Sequence, residues 1–348
     1  HCGGVAGLWE STAATWRGAG LAPVLFAAFD RMRERLASPD PRCDIEAQLD
    51  ALERCAARIL CLSDPGYPPL LKTLYDPPPF LYLRGRRELL LQPQLAMVGA
   101  RQASHGGLSA ARELAAAVAR AGLVVTSGLA LGIDGAAHRG ALGAGGGSVA
   151  VMATGIEQIY PRRHRALGEE LAREGCLVTE FPPLSQPLPG HFPRRNRLVS
   201  GLALGVLVVE AALPSGSLIT AGTALEQGRE VFTLPWSIHH PGGAGCLHLL
   251  RDGATLVSSA QVLLEELAQL TGSPLAACAT VDTGSGCAVV GGRDPADESL
   301  LMLIGDGAIN ADDLVMRSGL PLARVLERLS ALELDGRVHR GSGGYCRT

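Results

Sequence analysis

Between Leu95 and Val257, short β-branched runs alternate with longer amphipathic ones. "LAMVGA" leads to "GLSAARELAAAVARAG", "LVVTSG" to "GIDGAAHRGAL", and "SVAVMATG" to "RRHRALGEELAREG". "CLVTEFP" then leads to "RNRLVSGLA" and "GVLVVEA" to "SLITAGTALEQGR", before "EVFTLP". Strand, helix, strand at this spacing means βαβ units, whose strands lie parallel and buried on both faces. Their crossovers are right-handed, so helices cover both sides of the sheet. The expected fold class is α/β: a doubly wound, Rossmann-like parallel sheet.

The flanks read differently. Residues 1–62 carry apolar residues at three-to-four spacing in "APVLFAAFDRMRERL" and "DIEAQLDALERCAARIL", which predicts a small helical domain. Residues 271–296 are rich in Gly, Ser, Thr and Ala without a period, as a linker would be. Over 297–348 the pattern gives three helices followed by "RVHRGSGGYCR", a hairpin, which together make a winged helix-turn-helix. Asn310 is placed to cap the second of those helices.

Charge limits the partners. The 348-residue chain carries a formal −3, so no global field draws it to a polyanion, and any such site must be local. From Pro161 to Arg197 there are seven arginines against four glutamates, a local +3. The densest part is "HFPRRNRLVSGL", 191–202. The nine cysteines form no C-x-x-C pair, which argues against zinc and for a reduced compartment. The longest apolar run, Gly201 to Val209, is too short to span a membrane, and no segment reads as a secretory leader. A cytoplasmic location without membrane contact is expected.

In a parallel sheet, ligands bind beyond the C-terminal ends of the strands. The loops that fall there are rich in Gly and Ser and precede helix starts, which suit phosphates through free amides and a partial positive charge. Guanidinium forks at Arg101, Arg162, Arg163, Arg194, Arg195 and Arg197 match phosphate oxygens. Phe192 is a candidate base-stacking ring, with packing under the sheet as its alternative. Several phosphates plus a ring suggest a polynucleotide strand. The first turn, "VGARQASHGG", lacks G-x-G-x-x-G spacing, and there is no P-loop lysine. His138 and Trp236 are read as packing residues.

The runs "SGLALGIDGAAHRGAL", "FPRRNRLVSGL", "VVEAALPSGSLITAGTALEQGREVFTLP" and "GCLHLLRDGATLV" resemble the DNA-processing protein A (DprA/Smf) family. "DPGYPPLLKTLYDPPPFLYLRG" resembles the segment leading into its Rossmann domain, which implies an extended Rossmann-like domain over residues 63–270. The resemblance implies a non-enzymatic single-stranded DNA binder that protects incoming DNA and loads the RecA recombinase during natural transformation. It further implies a homodimer through the Rossmann-like domain, an N-terminal domain of SAM-like type and no cofactor or metal. Position by position, it carries over DNA-binding roles to Arg101, to Ser127, Gly128 and Gly132, to Phe192, Arg194, Arg195, Asn196 and Arg197, and to Ser215, Gly216, Ser217 and Thr220. Leu131, Trp236 and Leu247 depart from common family residues.

A competing reading takes "GTALE" as part of the G-T-x-x-E motif of Rossmann-type nucleotide phosphoribohydrolases (LOG-like), with Glu226 assisting glycosidic cleavage of nucleoside monophosphates. The double glycine that precedes that motif is replaced here by Ile219 and Thr220. From Asp294 onward, six arginines face nine acidic residues, a weak footprint for duplex DNA, so the tail is expected to contact protein.

Overall fold

A computed structural model describes residues 14–15, 44–272, 300–301, 303–304, 309–341 and 344–347. The chain divides into two compact units, 1–279 and 280–348. Most of the helical domain expected over 1–62, and the linker expected over 271–296 beyond Gly272, lie outside the described residues.

The first unit is built on a nine-stranded sheet of order β1-β2-β6-β5-β4-β3-β7-β8-β9. Its strands are β1 Arg58–Cys61, β2 Phe80–Gly85, β3 Gln94–Val98, β4 Val124–Ser127, β5 Ser148–Val151, β6 Cys176–Thr179, β7 Gly205–Val208, β8 Glu230–Thr233 and β9 Thr255–Leu256. From β6 to β9 every neighbouring pair is parallel. β2 joins β6, and β1 joins β2, antiparallel. Every residue of β3 to β7 is buried, as expected of strands covered on both sides.

The helices are α1 Ile45–Arg54, α2 Pro69–Lys72, α3 His105–Arg120, α4 Ile133–Gly143, α5 Arg165–Glu174, α6 His191–Gly201, α7 Gly216–Glu226, α8 Ala244–Arg251 and α9 Ala260–Thr271. Strand residues alternate between the two layers, as the period of two requires. Leu95 and Met97 pack with α3, α4 and α9, through Leu114, Ile133 and Leu263 among others. Ala96 and Val98 pack with α6, α7 and α8, through Leu198, Ala221 and Leu249. α5 and α1 continue the first layer, setting Leu167, Leu171 and Leu52 against Ala150 and Leu177.

The chain moves outward from β3 through β4, β5 and β6, then returns to place β7 on the other side of β3. The order therefore reverses between β3 and β7, the point where this class of fold forms its ligand crevice.

The start of the sheet differs from expectation. "DIEAQLDALERCAARIL" reads as one helix, yet the helix ends at Arg54 and Arg58–Cys61 is a strand, before the expected boundary at 62/63. Ala56 takes φ 53°, Ala57 N–H donates to Leu52 O (2.9 Å) and Ala56 N–H to Glu53 O (3.0 Å). That is a Schellman stop, a place usually held by glycine. With alanine there, the sequence carries no break signal.

The second unit has α10 Ala311–Ser318, α11 Leu322–Leu334 and the antiparallel pair β10 Val338–Gly341 and β11 Gly344–Arg347. Asn310 caps α10 by accepting from Asp313 N–H at 2.7 Å, and Gly319 ends it in the left-handed region. Leu300, Leu301, Ile304, Leu314, Val325, Leu329 and Val338 form its core. Among the described residues no helix is long and apolar enough to cross a membrane.

Candidate nucleic-acid interface

α6 concentrates the arginines. Its first turn has no side-chain cap, and a helix start is itself partly positive, so cations there repel it and one another unless anions are supplied. Residues two apart lie about 200° around a helix, so Arg195 and Arg197 cannot share a face.

Arg197 turns away from the sheet. Its Nη1 donates to Asp76 O (2.7 Å) and Oδ1 (3.3 Å), and its Nη2 to Glu180 Oε2. Glu180 is 2% exposed and also accepts from Arg194 Nε at 3.1 Å. One buried carboxylate thus holds two of the arginines. Arg194 remains 62% exposed, with its guanidinium 5.5 Å above the Phe181 ring.

Arg195 points into the sheet edge and is 4% exposed. Its Nη1 donates to Gly128 O and Val151 O, at the C-terminal ends of β4 and β5, and its Nε to Asn196 Oδ1 at 3.2 Å. Burial draws its pKa down to about 10, against the opposing attraction of Asp134. Asp134 is buried in turn, accepting from Gly128 N–H (3.1 Å) and Ala130 N–H (3.2 Å). Burial raises its pKa, which Arg195 and those amides oppose.

These contacts place several of the expected residues inside the fold rather than on its surface. Arg195 braces the loops rather than presenting a free fork, and the Gly128 amide is already taken. A Cβ on Gly128 would collide with the Arg195 guanidinium, so glycine is needed there for packing. Ser127 is fully buried and its hydroxyl donates to Met97 O at 2.6 Å. Gly132, at φ 79°, lets its loop meet the Ala100 carbonyl, where a Cβ would collide. Asn196 supports Arg195. On the other side of the reversal point, Ser215 caps α7 by accepting from Ser217 N–H at 3.2 Å, and Ser217 and Thr220 are buried. Of that group Gly216 is exposed at the helix start.

What faces solvent over β3, β4 and β5 is a smaller set. Arg101, on the loop leaving β3, lies 5.6 Å above the Phe192 ring. Phe192, on α6, lies 5.9 Å from Tyr160, on the loop leaving β5. Tyr160 is 42% exposed, and Arg162 and Arg163 next to it are exposed. Tyr160 escaped the sequence reading. Its signal was a ring in the same strand-end loop as paired arginines.

The crevice between β3 and β7 is closed from within. Glu210, 2% exposed, accepts from Ser104 N–H (3.0 Å) and Ser104 Oγ (2.8 Å) at the start of α3. Its other oxygen lies 3.2 Å from His240 Nε2. Trp236 stacks on His240 at 4.5 Å and donates its indole N–H to Val209 O at 2.7 Å, the packing role expected of it. Where a Rossmann protein binds a pyrophosphate, this one holds its own carboxylate, which would repel a phosphate. His138 is likewise a packing residue, buried with Nδ1 2.8 Å from Ser148 Oγ.

Fold and site together define a doubly wound Rossmann-like protein whose nucleotide crevice is shut and whose solvent-facing rim is basic and aromatic. Residues 58–268 match the family model described as DNA recombination-mediator protein A, and 291–344 that of the DprA winged helix domain. The chain belongs to the DNA recombination-mediator protein A family. It is similar to protein Smf of Escherichia coli, 42% identical over 88% of this chain and 82% of that protein. Among solved structures it is similar to DNA processing protein A of Streptococcus pneumoniae (38% identity, TM-score 0.59, 66% of this chain and 83% of that one). It is also similar to the Helicobacter pylori protein (30% identity, TM-score 0.56, 61% and 96%), whose structure concerns a unique single-stranded DNA binding mode.

Proposed function

We propose that this protein binds single-stranded DNA along the rim over β3, β4 and β5, without cutting it, and passes the protected strand to the RecA recombinase during natural transformation in the cytoplasm. The observation that carries the reading is the set of exposed arginines Arg101, Arg162 and Arg163, on the same strand-end loops as, or over, the paired rings of Tyr160 and Phe192. Flexible single strands suit it, since their phosphates and bases are both accessible. Family membership and the single-stranded DNA binding of the Helicobacter pylori protein support it. No nucleotide cofactor or metal has a part in it.

The homodimer fits the outward face of α7. Ile219 and Leu225 on α7, and Leu213 just before it, are each more than half exposed, and Leu213 and Leu225 line a groove of about 430 Å³ running to α8. Large apolar side chains left exposed on neighbouring surface of one element favour an interface there.

The phosphoribohydrolase reading is not favoured. α7 begins at the rim with Gly216 and ends with Glu226. At 1.5 Å per residue this puts the carboxylate about 15 Å from the rim.

Competition between labelled single-stranded and duplex oligonucleotides, followed by anisotropy, tests the main reading. Preference for the single strand is expected. Equal affinity, or release of free base from nucleoside monophosphates, would overturn it.

A further inference from the structure

The geometry points to Tyr160, rather than Phe192, as the ring on which a base of the bound strand stacks, with Phe192 as the layer beneath it. The inference rests on the single-strand reading above and deepens it.

Phe192 is the more obvious candidate, but it is already engaged. The Arg101 guanidinium lies over its ring at 5.6 Å, and the Tyr160 ring lies against it at 5.9 Å, tilted by 55°. It is only partly exposed. Tyr160 is 42% exposed, and its hydroxyl has no hydrogen bond among the described contacts. The sheet does not need this ring in its core.

The loop holds the ring in place from both sides. Before it, Thr154 Oγ1 donates to Gln158 O at 2.6 Å and Gln158 N–H to Gly155 O at 3.0 Å. Ile159 packs against Gly168 of α5, where a Cβ would collide with it. After it, His164 N–H donates to Pro161 O at 2.8 Å, and His164 Nδ1 lies 3.0 Å from Leu129 O. A ring held this way needs little ordering when a base arrives, which favours affinity. Arg162 and Arg163 follow, exposed and without a partner among the described residues, placed to take the phosphates flanking the stacked base.

A four-way comparison tests this. Wild type and Tyr160→Ala are titrated with a single-stranded oligothymidylate and with the matching abasic oligomer, which keeps the phosphates and lacks the bases. Losing one stacked base should weaken oligothymidylate binding about five- to 150-fold. The abasic oligomer should bind both proteins alike. Tyr160→Phe should behave as wild type, and Phe192→Leu should lose less than Tyr160→Ala. Thermal melting should fall only slightly in Tyr160→Ala, since the ring lies outside the core clusters. Equal loss on both oligomers, or undiminished oligothymidylate binding by Tyr160→Ala, overturns the inference and leaves single-strand binding intact. Wild type binding neither oligomer removes the underlying reading instead.

Discussion

Replacing Arg195 by alanine removes two charge-assisted hydrogen bonds, to the Gly128 and Val151 carbonyls, from a buried site. It also leaves Asp134 buried without the cation that offsets its desolvation. Hydrogen bonds to a charged group contribute roughly 1.5–3 kcal/mol each, and stripping one partner from buried charges costs about 3–5 kcal/mol. These overlap, so the expected loss is about 3–5 kcal/mol, a large share of the roughly 5–15 kcal/mol that holds a domain together. Urea unfolding followed by circular dichroism should show the midpoint falling accordingly. The second substitution Asp134→Asn should recover part of the loss, because the two residues are coupled and their effects do not add. If Arg195→Ala instead unfolds at the wild-type midpoint while binding DNA far more weakly, Arg195 faces the ligand and the bracing role is wrong.

His138 is a buried neutral group whose pKa is lowered to about 3 by burial first and then by His164, Arg139 and Arg195. Unfolded histidine takes up its proton near pH 6.5, so stability should fall as pH drops from about 6.5 toward 3, at up to about 1.4 kcal/mol per pH unit from this residue. His138→Asn should flatten that fall in pH-dependent unfolding; parallel curves would contradict it. Ile219→Asp should convert a dimer into a folded monomer by sedimentation velocity, and an unchanged mass would exclude the α7 face as the interface. On α11, Leu322 and Leu326 are exposed and Arg324 pairs with Glu327 at 3.2 Å. Arg324→Glu should therefore leave duplex DNA affinity of the full chain unaltered, and a marked loss would favour a duplex-reading third helix.

The fold was legible because its signal is long and periodic. Fully apolar strands such as "LAMV", separated by helical runs, admit few arrangements. The stop at Ala56 was hidden because alanine there does what glycine usually does. The site was legible only in composition. Counting seven arginines against four glutamates from Pro161 to Arg197 located a basic region. It could not show that Glu180 takes up both Arg194 and Arg197, or that Arg195 lies beneath Gly128. Helical geometry alone would have separated Arg195 from Arg197. Glu210 is a different case: it sits 106 residues from Ser104, and nothing local in the sequence joins them.

On the proposed reading, exposed guanidiniums on the rim hold the phosphates and the arginines engaged by Glu180 do not. The salt dependence of oligothymidylate affinity tests it most directly. Each phosphate contact contributes about −0.7 to the slope of log affinity against log salt for a single strand, so contacts by Arg101, Arg162 and Arg163 predict about −2. Arg101→Ala should make the slope shallower by about 0.7, while Arg197→Ala should leave it unchanged. An unaltered slope in Arg101→Ala, or a shallower one in Arg197→Ala, would show that the phosphates lie elsewhere.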